Sequence, residues 1–338
     1  MKLYEVVKGA RDLDGLRRTE RPDPKPGRRQ VLVRVRAVSL NFRDLAVVQG
    51  VYPGPPMSGN LIPLSDGAGE VLAVGEDVTR FKPGDRVVGT FFQVWIDGRP
   101  PPGMVALGAS PADGMLAEQV VLHEDGLIAI PQNFSFEDAA ALPCAAVTAW
   151  HGLMVAGRSI MPGQSVLVLG TGGVSIFALQ FAHAAGARVI VTSSHDDKLE
   201  RAKRLGATGT VNYKKTPEWG KAVLELTGGM GVDCVIEVGG AGTLANSFQA
   251  VGFGGKVSLI GVLSGREGDT SPHMLMFKSA SLHGIFVGNR RMFDDMLTAM
   301  HVNAIKPVID RTFSFDEAPQ AYRYQMEGKH FGKVVIRV

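Results

Sequence analysis

The stretch LGTGGVSIFALQ, residues 169–180, decides the fold. A run of strand-forming residues, Ser165–Leu169, leads into it, and a run typical of a helix follows it. The glycine loop between them has the pattern G-x-G-x-x-G, except that Ser175 stands in the third glycine position. Such a loop between a buried strand and a helix, with another strand roughly twenty residues further on, is typical of a dinucleotide-binding unit. The sequence therefore predicts a nucleotide cofactor here; the alternative is a purely structural turn.

The positions of this loop suit the phosphates of a dinucleotide. Gly170 allows a tight turn, and Gly172 lets the backbone approach a pyrophosphate. The helix begins at Gly173, where free amide groups and the positive end of the helix dipole attract anions. Because Ser175 is small, it still permits the close packing of helix on strand for which the third glycine is needed.

The end of the second strand bears on the choice between NAD and NADP. An NAD site usually has an acidic residue there, which binds the 2′-hydroxyl of the ribose. The chain instead reads VTSSHDDK and has Ser193 at this position, which leaves room for a 2′-phosphate. Lys198 is a candidate partner for that phosphate and Tyr213 a candidate donor, although Lys198 could equally be a solvated helix lysine. Asp196 and Asp197 argue mildly for NAD, but we predict NADP(H).

Composition is that of an ordinary globular protein and excludes several classes. The 338 residues suggest about two domains. The net charge of +3 comes without a basic block, so we expect no nucleic-acid partner. Two cysteines, Cys144 and Cys234, exclude a disulfide framework and fit a reducing compartment. The first residues lack an apolar signal segment and no apolar run could span a bilayer, so we expect a cytoplasmic protein without membrane contact.

The chain changes its pattern near residue 127. Residues 1–126 contain short β-branched runs separated by Gly, Pro and Asp turns, which indicates a β-rich barrel or sandwich. Beyond them strands alternate with helices, and this predicts an α/β fold with a doubly wound parallel sheet of six strands. The last two of these strands are expected at residues 256–262 and 282–287. A final strand, KVVIRV, ends the chain and could return to the first domain.

Several motifs, in their order along the chain, resemble those of the medium-chain dehydrogenase/reductase superfamily. They are LNFRDLAVVQGVYP, SDGAGEV, KPGDRV, AALPCAAVTAWHGL, LGTGGVS and HFGKVVI. The resemblance covers nearly the whole chain. It implies a discontinuous GroES-like catalytic domain from residues 1–126 and 289–338, and a Rossmann dinucleotide-binding domain from residues 127–288. It also implies an active site in the cleft between the domains and assembly as a homodimer or homotetramer.

Zinc-containing members of this superfamily hold their catalytic metal with a Cys, a His and a later Cys or Asp. The first of these positions is Asn41 here and the second is Ser65, while the third, Cys144, matches. Because a catalytic zinc needs about three protein ligands, we expect no metal and interpret Cys144 as a small buried residue. Residues 91–116 contain no cysteine, so the structural zinc lobe of such relatives is missing too.

The sequence is therefore similar to the zinc-independent branch, which includes NADPH quinone oxidoreductases, enone reductases and zeta-crystallins. In that branch Asn41 and the tyrosine of the G-x-Y-P motif, Tyr52, line the nicotinamide pocket. Some relatives carry a second tyrosine at the position of Ala46, so a site with two tyrosines is not expected here. Asp44 has either a helix-capping or a catalytic role, and Arg43 either anchors a substrate or is solvated.

The resemblance also implies a set of cofactor contacts spread over the chain. Thr148 is expected near the nicotinamide, and Lys333 at the cofactor phosphates or in the pocket. Val262 and Phe286 are expected on loops beside the adenine and the nicotinamide, with a core position as the alternative for both. The full set of expected cofactor contacts is Asn41, Thr148, Gly170, Gly172, Gly173, Val174, Ser175, Ser193, Ser194, Lys198, Tyr213, Gly239, Val262, Phe286, Val287 and Lys333.

Without a metal, the negative charge that develops on a substrate oxygen must be stabilised by hydrogen-bond donors, each worth about 3–4 kcal/mol at best. This favours electron-poor substrates such as quinones, enones or activated aldehydes. Tyr52 is the candidate catalytic donor, with water as the alternative acid, and Asn41 orients the carbonyl or the ribose. We predict an NADPH-dependent, zinc-independent reductase of such small carbonyl compounds. The alternatives are a broad-specificity NADP-dependent alcohol dehydrogenase or aldehyde reductase, and an NADPH-binding sensor or structural protein with little catalysis.

Overall fold

The chain forms two compact units in the computed structural model, which describes residues 1–265, 267–268 and 270–338. One unit contains Met1–Val147 and Gly288–Val338, and the other contains Thr148–Val287. No helix among the described residues is long and apolar enough to cross a membrane.

Strands and helices are numbered here in chain order. The strands are β1 (Lys2–Val6), β2 (Leu16–Glu20), β3 (Gln30–Leu40), β4 (Asp66–Val74), β5 (Arg86–Gly89), β6 (Gln119–His123), β7 (Leu127–Ala129), β8 (Ser165–Leu169), β9 (Arg188–Ser193), β10 (Gly209–Asn212), β11 (Val232–Glu237), β12 (Val251–Leu259), β13 (Ser281–Gly284), β14 (Ile309–Ser314) and β15 (Lys333–Arg337). The α-helices are α1 (Phe42–Val48), α2 (Phe136–Ala140), α3 (Ala145–Trp150), α4 (Gly173–Ala184), α5 (Asp196–Arg204), α6 (Trp219–Leu226), α7 (Ala241–Ala250), α8 (His273–Phe277), α9 (Arg290–Val302) and α10 (Ala318–Met326).

Strand β3 lies at the centre of the first unit. The sheet around it has the order β14–β15–β3–β4–β5–β7, and β6 also pairs with β3. Val31, Val33 and Val35 alternate with more exposed residues, because one face of β3 packs into the apolar core and the other does not. The final strand, β15, returns to this unit and pairs antiparallel with β3. The two ends of the chain therefore build one sheet.

Residues 127–147 belong to the first unit, although the sequence pattern places the division at residue 126. The reason is pairing: β7 joins the first sheet through β5. Helix α2 also packs on β3 and β4. The change from strand-rich to alternating sequence therefore precedes the structural boundary by one strand and one short helix.

The second unit contains the parallel sheet that the glycine loop predicts. Within the described part of the chain its order is β10–β9–β8–β11–β12–β13, and every neighbouring pair is parallel. All five residues of β8 are buried, as expected for a central strand of a doubly wound sheet. Counted along this unit, the order is 3-2-1-4-5-6, which confirms the predicted Rossmann arrangement. The order reverses between β8 and β11, and ligands of such sheets bind at the carboxyl ends of the strands at that point.

Two strands end earlier than the sequence predicts. β12 ends at Leu259 rather than at residue 262, and β13 ends at Gly284 rather than at residue 287. Val287 has a φ of +52°, a left-handed backbone conformation that is incompatible with a strand. Residues 262, 286 and 287 therefore lie on loops beyond the carboxyl ends of the strands.

Candidate functional site

Asn41 and Lys333 meet in the interior of the first unit. Asn41 is the N-cap residue of α1, and Lys333 is the first residue of β15. Nζ of Lys333 donates hydrogen bonds to Oδ1 of Asn41 at 2.6 Å and to the carbonyl of Leu40 at 2.7 Å. The exposed fractions of Asn41 and Lys333 are only 8% and 2%. Nδ2 of Asn41 is buried and has no hydrogen-bond partner among the described residues, so it remains as a donor for a ligand.

Asp66 neutralises the buried ammonium group. It is the first residue of β4, and Oδ2 of its carboxylate lies 3.9 Å from Nζ of Lys333. The carboxylate accepts hydrogen bonds from the hydroxyl of Ser65 at 2.6 Å and from the backbone amide of Cys144 at 3.1 Å. Burial lowers the pKa of Lys333, and Asp66 acts against this shift. Each of the two charges would be costly to bury without the other.

The three positions that hold zinc in metal-containing relatives therefore carry a different network. Asn41 is bonded to Lys333, whereas Ser65 and the backbone of Cys144 are bonded to Asp66. Burial raises the pKa of the Cys144 thiol well above its usual value, although zinc requires a thiolate. Nowhere in the described part of the chain do three or more His, Cys, Asp or Glu side chains form a group that could hold a metal ion. The residues present do not fit a catalytic zinc.

Arg43 and Asp44 form a second buried ion pair in the first turn of α1. Nη1 of Arg43 lies 3.0 Å from Oδ1 of Asp44 and also donates to the carbonyls of Leu107 and Gly108. Oδ2 of Asp44 accepts a hydrogen bond from the backbone amide of Asn41 at 2.8 Å, which is a helix-capping contact. Burial raises the pKa of Asp44 to about 6, and Arg43 acts against this shift. Arg43 is therefore buried, which excludes the alternative of a solvated side chain.

Tyr52 stacks on the guanidinium group of Arg43. The central carbon of that group lies 4.5 Å from the ring centroid of Tyr52 and 5.3 Å from that of Phe91. Tyr52 also borders a cavity of about 420 Å³, whose walls include Val47 and the proline-rich residues 53–57. Burial raises the pKa of Tyr52, and Arg43 acts against this shift. The phenol is therefore protonated at neutral pH and can donate a hydrogen bond or a proton.

In the second unit, the glycine loop has the geometry that phosphate binding requires. Gly170 has a φ of +73°, and its amide donates to the hydroxyl of Thr192 at 3.3 Å. Gly172 is the N-cap residue of α4 and has no side chain to cap the helix. The half-exposed first-turn residues Gly173 and Val174 therefore offer their amides, and the positive end of the helix dipole, to an anion. This cradle fits the pyrophosphate of a dinucleotide.

The side chain of Ser175 points into the protein rather than towards a phosphate. Its hydroxyl donates to the carbonyl of Leu169 at 2.7 Å, and the residue is only 2% exposed. The bond joins the first turn of α4 to the end of β8. Ser175 therefore takes the packing role of the third glycine, and any contact that it makes with a phosphate would come from its backbone.

Strand β9 ends in hydroxyl residues, and no acidic residue lies at its carboxyl end. Ser193 is the last residue of the strand and is buried, and its hydroxyl accepts a hydrogen bond from the amide of His195 at 3.3 Å. The hydroxyl of Ser194 lies 2.7 Å from Nδ1 of the same histidine. The nearest acid, Asp196, is engaged by Nζ of Lys215 at 2.6 Å. The strand end therefore has no carboxylate of its own to accept a ribose hydroxyl or to repel a phosphate.

Lys198 and Tyr213 both follow this strand end in sequence but differ in exposure. Tyr213 follows β10, its amide donates to the carbonyl of Ser193 at 3.1 Å, and it is 39% exposed. Lys198 lies in the first turn of α5 and is only 7% exposed. The alternative of a solvated helix lysine is therefore excluded for Lys198.

Glu237, which the sequence patterns did not single out, organises the loop after β11. It is completely buried, and Oε1 accepts hydrogen bonds from the amides of Gly239 and Gly240 at 2.7 and 3.0 Å. The hydroxyls of Thr243 and Ser247 also donate to this carboxylate. The amide of Gly239, a residue expected to contact the cofactor, is thus already used within the loop. The sequence did contain a signal for Glu237: it is an acidic residue at the end of an apolar strand, shortly before two glycines.

The remaining expected contacts follow strand ends or lie in α3. Val262 and Phe286 come after β12 and β13 and are each 52% exposed, which excludes a core position for both. Val287 and Thr148 are buried. The carbonyl of Val287 lies 2.7 Å from Nδ1 of His151, a residue that belongs to the second unit as Thr148 does.

Of the two places expected for Lys333, the cofactor phosphates or the pocket, its contacts fit the second, beside Asn41. It belongs to the first unit, and its ammonium group is bonded there to Asn41 and to the carbonyl of Leu40. The lysine lies at the start of β15, whose pairing with β3 carries it to Asn41. The structure thus assigns it to the buried polar network rather than to a phosphate site.

A β-rich unit with a buried polar site and a unit with a dinucleotide cradle together define a nucleotide-dependent oxidoreductase. Comparisons with known proteins agree. Residues 27–132 match the family described as alcohol dehydrogenase GroES-like domain, and residues 173–301 match the family described as zinc-binding dehydrogenase.

Individual relatives cover almost the whole chain. A zinc-type alcohol dehydrogenase-like protein, C1773.06c of Schizosaccharomyces pombe, is 48% identical over 91% of this chain and 91% of its own length. A quinone oxidoreductase of Pseudomonas aeruginosa is 31% identical over 92% of each chain. A solved NAD-dependent alcohol dehydrogenase is 35% identical, with a TM-score of 0.91 over 100% of both chains. The chain belongs to the medium-chain dehydrogenase/reductase superfamily and is an oxidoreductase.

Proposed function

We propose that the protein is a zinc-independent, NADPH-dependent oxidoreductase that transfers hydride to an electron-poor small carbonyl compound, namely a quinone, an enone or an activated aldehyde. The observation that carries this proposal is the 2.6 Å bond from Lys333 to Asn41. It puts an ammonium group, paired with Asp66, among the positions that bind zinc in metal-containing relatives. A zinc ion would have to displace this cation or share its ligands.

The substrate class follows from what the chain offers to an oxygen atom. When bound, NADPH supplies the hydride. The chain supplies hydrogen-bond donors: the phenol of Tyr52 and Nδ2 of Asn41, whose Oδ1 is held by Lys333. A positioned donor contributes about 3–4 kcal/mol to stabilising a developing oxyanion. Donors of this strength suit acceptors that already withdraw electrons from the reacting carbon, and they suit simple ketones less well.

The preference for NADPH rests on the end of β9. Ser193 has a hydroxyl where a carboxylate would bind the ribose of NADH, and the nearby acid Asp196 is already paired with Lys215. Ser194 and the partly exposed Tyr213 add hydroxyl groups that can donate to a 2′-phosphate. The solved NAD-dependent relative means that the fold alone does not decide this preference, so the proposal depends on these side chains.

A broad-specificity NADP-dependent alcohol dehydrogenase or aldehyde reductase is the second candidate function. The alcohol dehydrogenase names of two relatives favour it. The same donors would serve an aldehyde, so the two candidates differ in the acceptor and not in the cofactor site.

We also propose that the protein is a cytoplasmic homodimer or homotetramer. The chain has only two cysteines, Cys144 and Cys234, which suits a reducing compartment. Strand β13 ends the parallel sheet, and Leu282 on it is 42% exposed, so an edge with an apolar side chain is open to a second copy. Sedimentation of the purified protein distinguishes monomer, dimer and tetramer.

The experiment combines cofactor titration with a substrate screen. NADPH and NADH are titrated by fluorescence into the parent protein, Ser193→Asp and, as a control, Thr298→Asp on the exposed face of α9. We expect Ser193→Asp to weaken NADPH binding by about tenfold or more, because two negative charges then meet, and the control to change nothing. Retained NADPH preference in Ser193→Asp contradicts the proposed cofactor.

Oxidation of NADPH, followed at 340 nm with quinones, enones and aldehydes, then identifies the acceptor. NADPH binding without turnover of any of these compounds favours a sensor. Stoichiometric zinc in the purified protein overturns the zinc-independent assignment.

A further inference from the structure

Val287 holds a backbone conformation that its side chain opposes. Its φ is +52°, in the left-handed region that β-branched residues almost never occupy. Val287 follows β13 and is buried, so its side chain cannot move into solvent to avoid the crowding with its own backbone. A glycine would avoid that crowding, but this position holds a valine. Residues in such conformations persist only where the surroundings hold them, and they concentrate at functional sites.

The contact that holds Val287 in this conformation comes from His151. Nδ1 of its ring lies 2.7 Å from the carbonyl oxygen of Val287. A carbonyl only accepts hydrogen bonds, so Nδ1 must carry a proton. Burial lowers the pKa of His151, and the positive charge of Lys256 and the neighbouring His283 act in the same direction, whereas the bond to Val287 opposes them. The ring is therefore neutral at pH 7 and carries its single proton on Nδ1.

The segment that carries His151 is itself fixed. Residues His151–Val155 form a π-helix, in which the amide of Ala156 bonds to the carbonyl of His151 at 2.8 Å. Two side chains of β12 bind carbonyls of this turn and of Ala156, which follows it. The hydroxyl of Ser258 donates to the carbonyl of Gly152, and Nζ of Lys256 donates to the carbonyls of Leu153 and Ala156. Single π-turns of this kind are rare and occur frequently at functional sites.

The hydrogen bond between His151 and Val287 connects two segments that are far apart in the chain. The chain enters the second unit at Thr148 and leaves it at Val287. The bond from His151 to Val287 thus joins the entering segment to the leaving segment within that unit. A change at His151 would act first on the backbone of residues 286–287.

We propose that His151 is a positioning residue that holds Val287 in the left-handed conformation and thereby sets the loop at Phe286–Val287 for binding of the nicotinamide cofactor. This inference rests on the proposed function, which requires a nicotinamide cofactor, and on the place of that loop beyond the carboxyl end of β13, the edge of the parallel sheet where such ligands bind. His151 acts through the Val287 carbonyl and needs no contact with cofactor or substrate.

A first experiment tests, without cofactor, whether His151 holds Val287 in the left-handed conformation. Nitrogen-15 NMR of the histidine rings at pH 8 identifies the protonated ring nitrogen, with His151→Phe used to assign the signal. We expect His151 in the Nδ1–H form, whereas free neutral histidine prefers the other nitrogen. Hydrogen exchange of a peptide covering residues 284–289 is expected to quicken by about tenfold in His151→Phe and to stay unchanged in His301→Phe, a change at an exposed site. A ring protonated on Nε2, or unchanged exchange in His151→Phe, overturns the proposal.

A second experiment tests the consequence for binding. We expect His151→Phe to weaken NADPH binding by about tenfold, or about 1.4 kcal/mol. His151→Asn, whose amide nitrogen can take the place of Nδ1, should recover most of this loss. Val287→Gly in the His151→Phe background should recover it too, because glycine adopts the left-handed conformation without crowding. If neither change restores binding, His151 has only a packing role and the proposal falls. If the parent protein binds no dinucleotide at all, the proposed function falls, while exchange and tautomer still decide whether His151 holds Val287.

Discussion

Replacing Lys333 with methionine tests the buried ion pair on which the zinc-independent assignment depends. Methionine fills most of the space of lysine but has no charge. The variant leaves Asp66 without its cation, and Oδ1 of Asn41 and the carbonyl of Leu40 lose their donor. All of these groups are buried inside the first unit.

The size of the effect follows from the geometry. At 3.9 Å, unit charges in a protein with an effective dielectric constant of about 20 attract each other by about 4 kcal/mol. Removing one partner of a buried pair costs about 3–5 kcal/mol, because the other charge stays buried and uncompensated. We therefore expect Lys333→Met to lower the free energy of unfolding by about 3–5 kcal/mol. Lys333→Met with Asp66→Asn removes both charges, and it should cost at least about 2 kcal/mol less than the two single changes added together.

Urea unfolding at pH 7.5, followed by circular dichroism and tryptophan fluorescence, measures these values where the two signals coincide. Lys329→Met is the matched control, four residues earlier in the chain. Lys329 pairs with Glu327 at 3.0 Å, but the side chains are 71% and 49% exposed, so the control should cost less than about 1 kcal/mol. If Lys333→Met also costs less than about 1 kcal/mol, or if the single changes add up to the double change, the buried pair does not have the role assigned to it.

Two further outcomes test the groups around this pair. Tyr52→Phe should lower kcat/KM by about 100-fold or more. The unfolding free energy should stay within about 0.5 kcal/mol of the parent value, because only a half-buried hydroxyl is removed. Undiminished turnover with every electrophile would show that Tyr52 only lines the pocket. The pKa of Asp44, raised by burial to about 6, predicts that its contribution to stability is complete below about pH 4 and is lost as the pH rises through 6. The difference in unfolding free energy between the parent and Asp44→Asn should therefore fall by about 2 kcal/mol between pH 4 and 7; a difference that is constant with pH would show that the carboxyl group titrates alike in both states.

The parts of the fold that the sequence predicted are those that local patterns encode. A buried strand, a glycine loop and a helix lie next to one another in the chain, so Ser165–Leu169 and Gly170–Val174 could be recognised and placed directly. The alternation that follows fixes parallel pairing and leaves few possible sheet orders. Strand ends were harder to predict, because the left-handed conformation of Val287 depends on a partner 136 residues away and not on its neighbours.

The candidate site was predicted in its residue types but not in its bonds. Asn41 and Lys333 are 292 residues apart, and only the pairing of β15 with β3 brings them together. Sequence reasoning therefore recognised that zinc ligands are missing, but left Lys333 between the cofactor phosphates and the pocket. Ser175 shows the same limit at short range: its size was interpreted correctly, whereas the direction of its hydroxyl follows from the packing of α4 on β8.

The charges around Asn41 connect the missing metal to the choice of substrate. Arg43 and Lys333 face Asp44 and Asp66, so the interior contains two cations and two carboxylates and is neutral as a group. A divalent ion added among them would leave two uncompensated positive charges in a region where even one is costly. Of the two cations, Lys333 uses its hydrogen bonds on Asn41 and Leu40, so it reaches a substrate only through the amide that it orients. We propose that the charge on a reacting oxygen is stabilised mainly by neutral donors, and that the substrate is therefore an acceptor that carries part of that charge on its own electron-withdrawing groups.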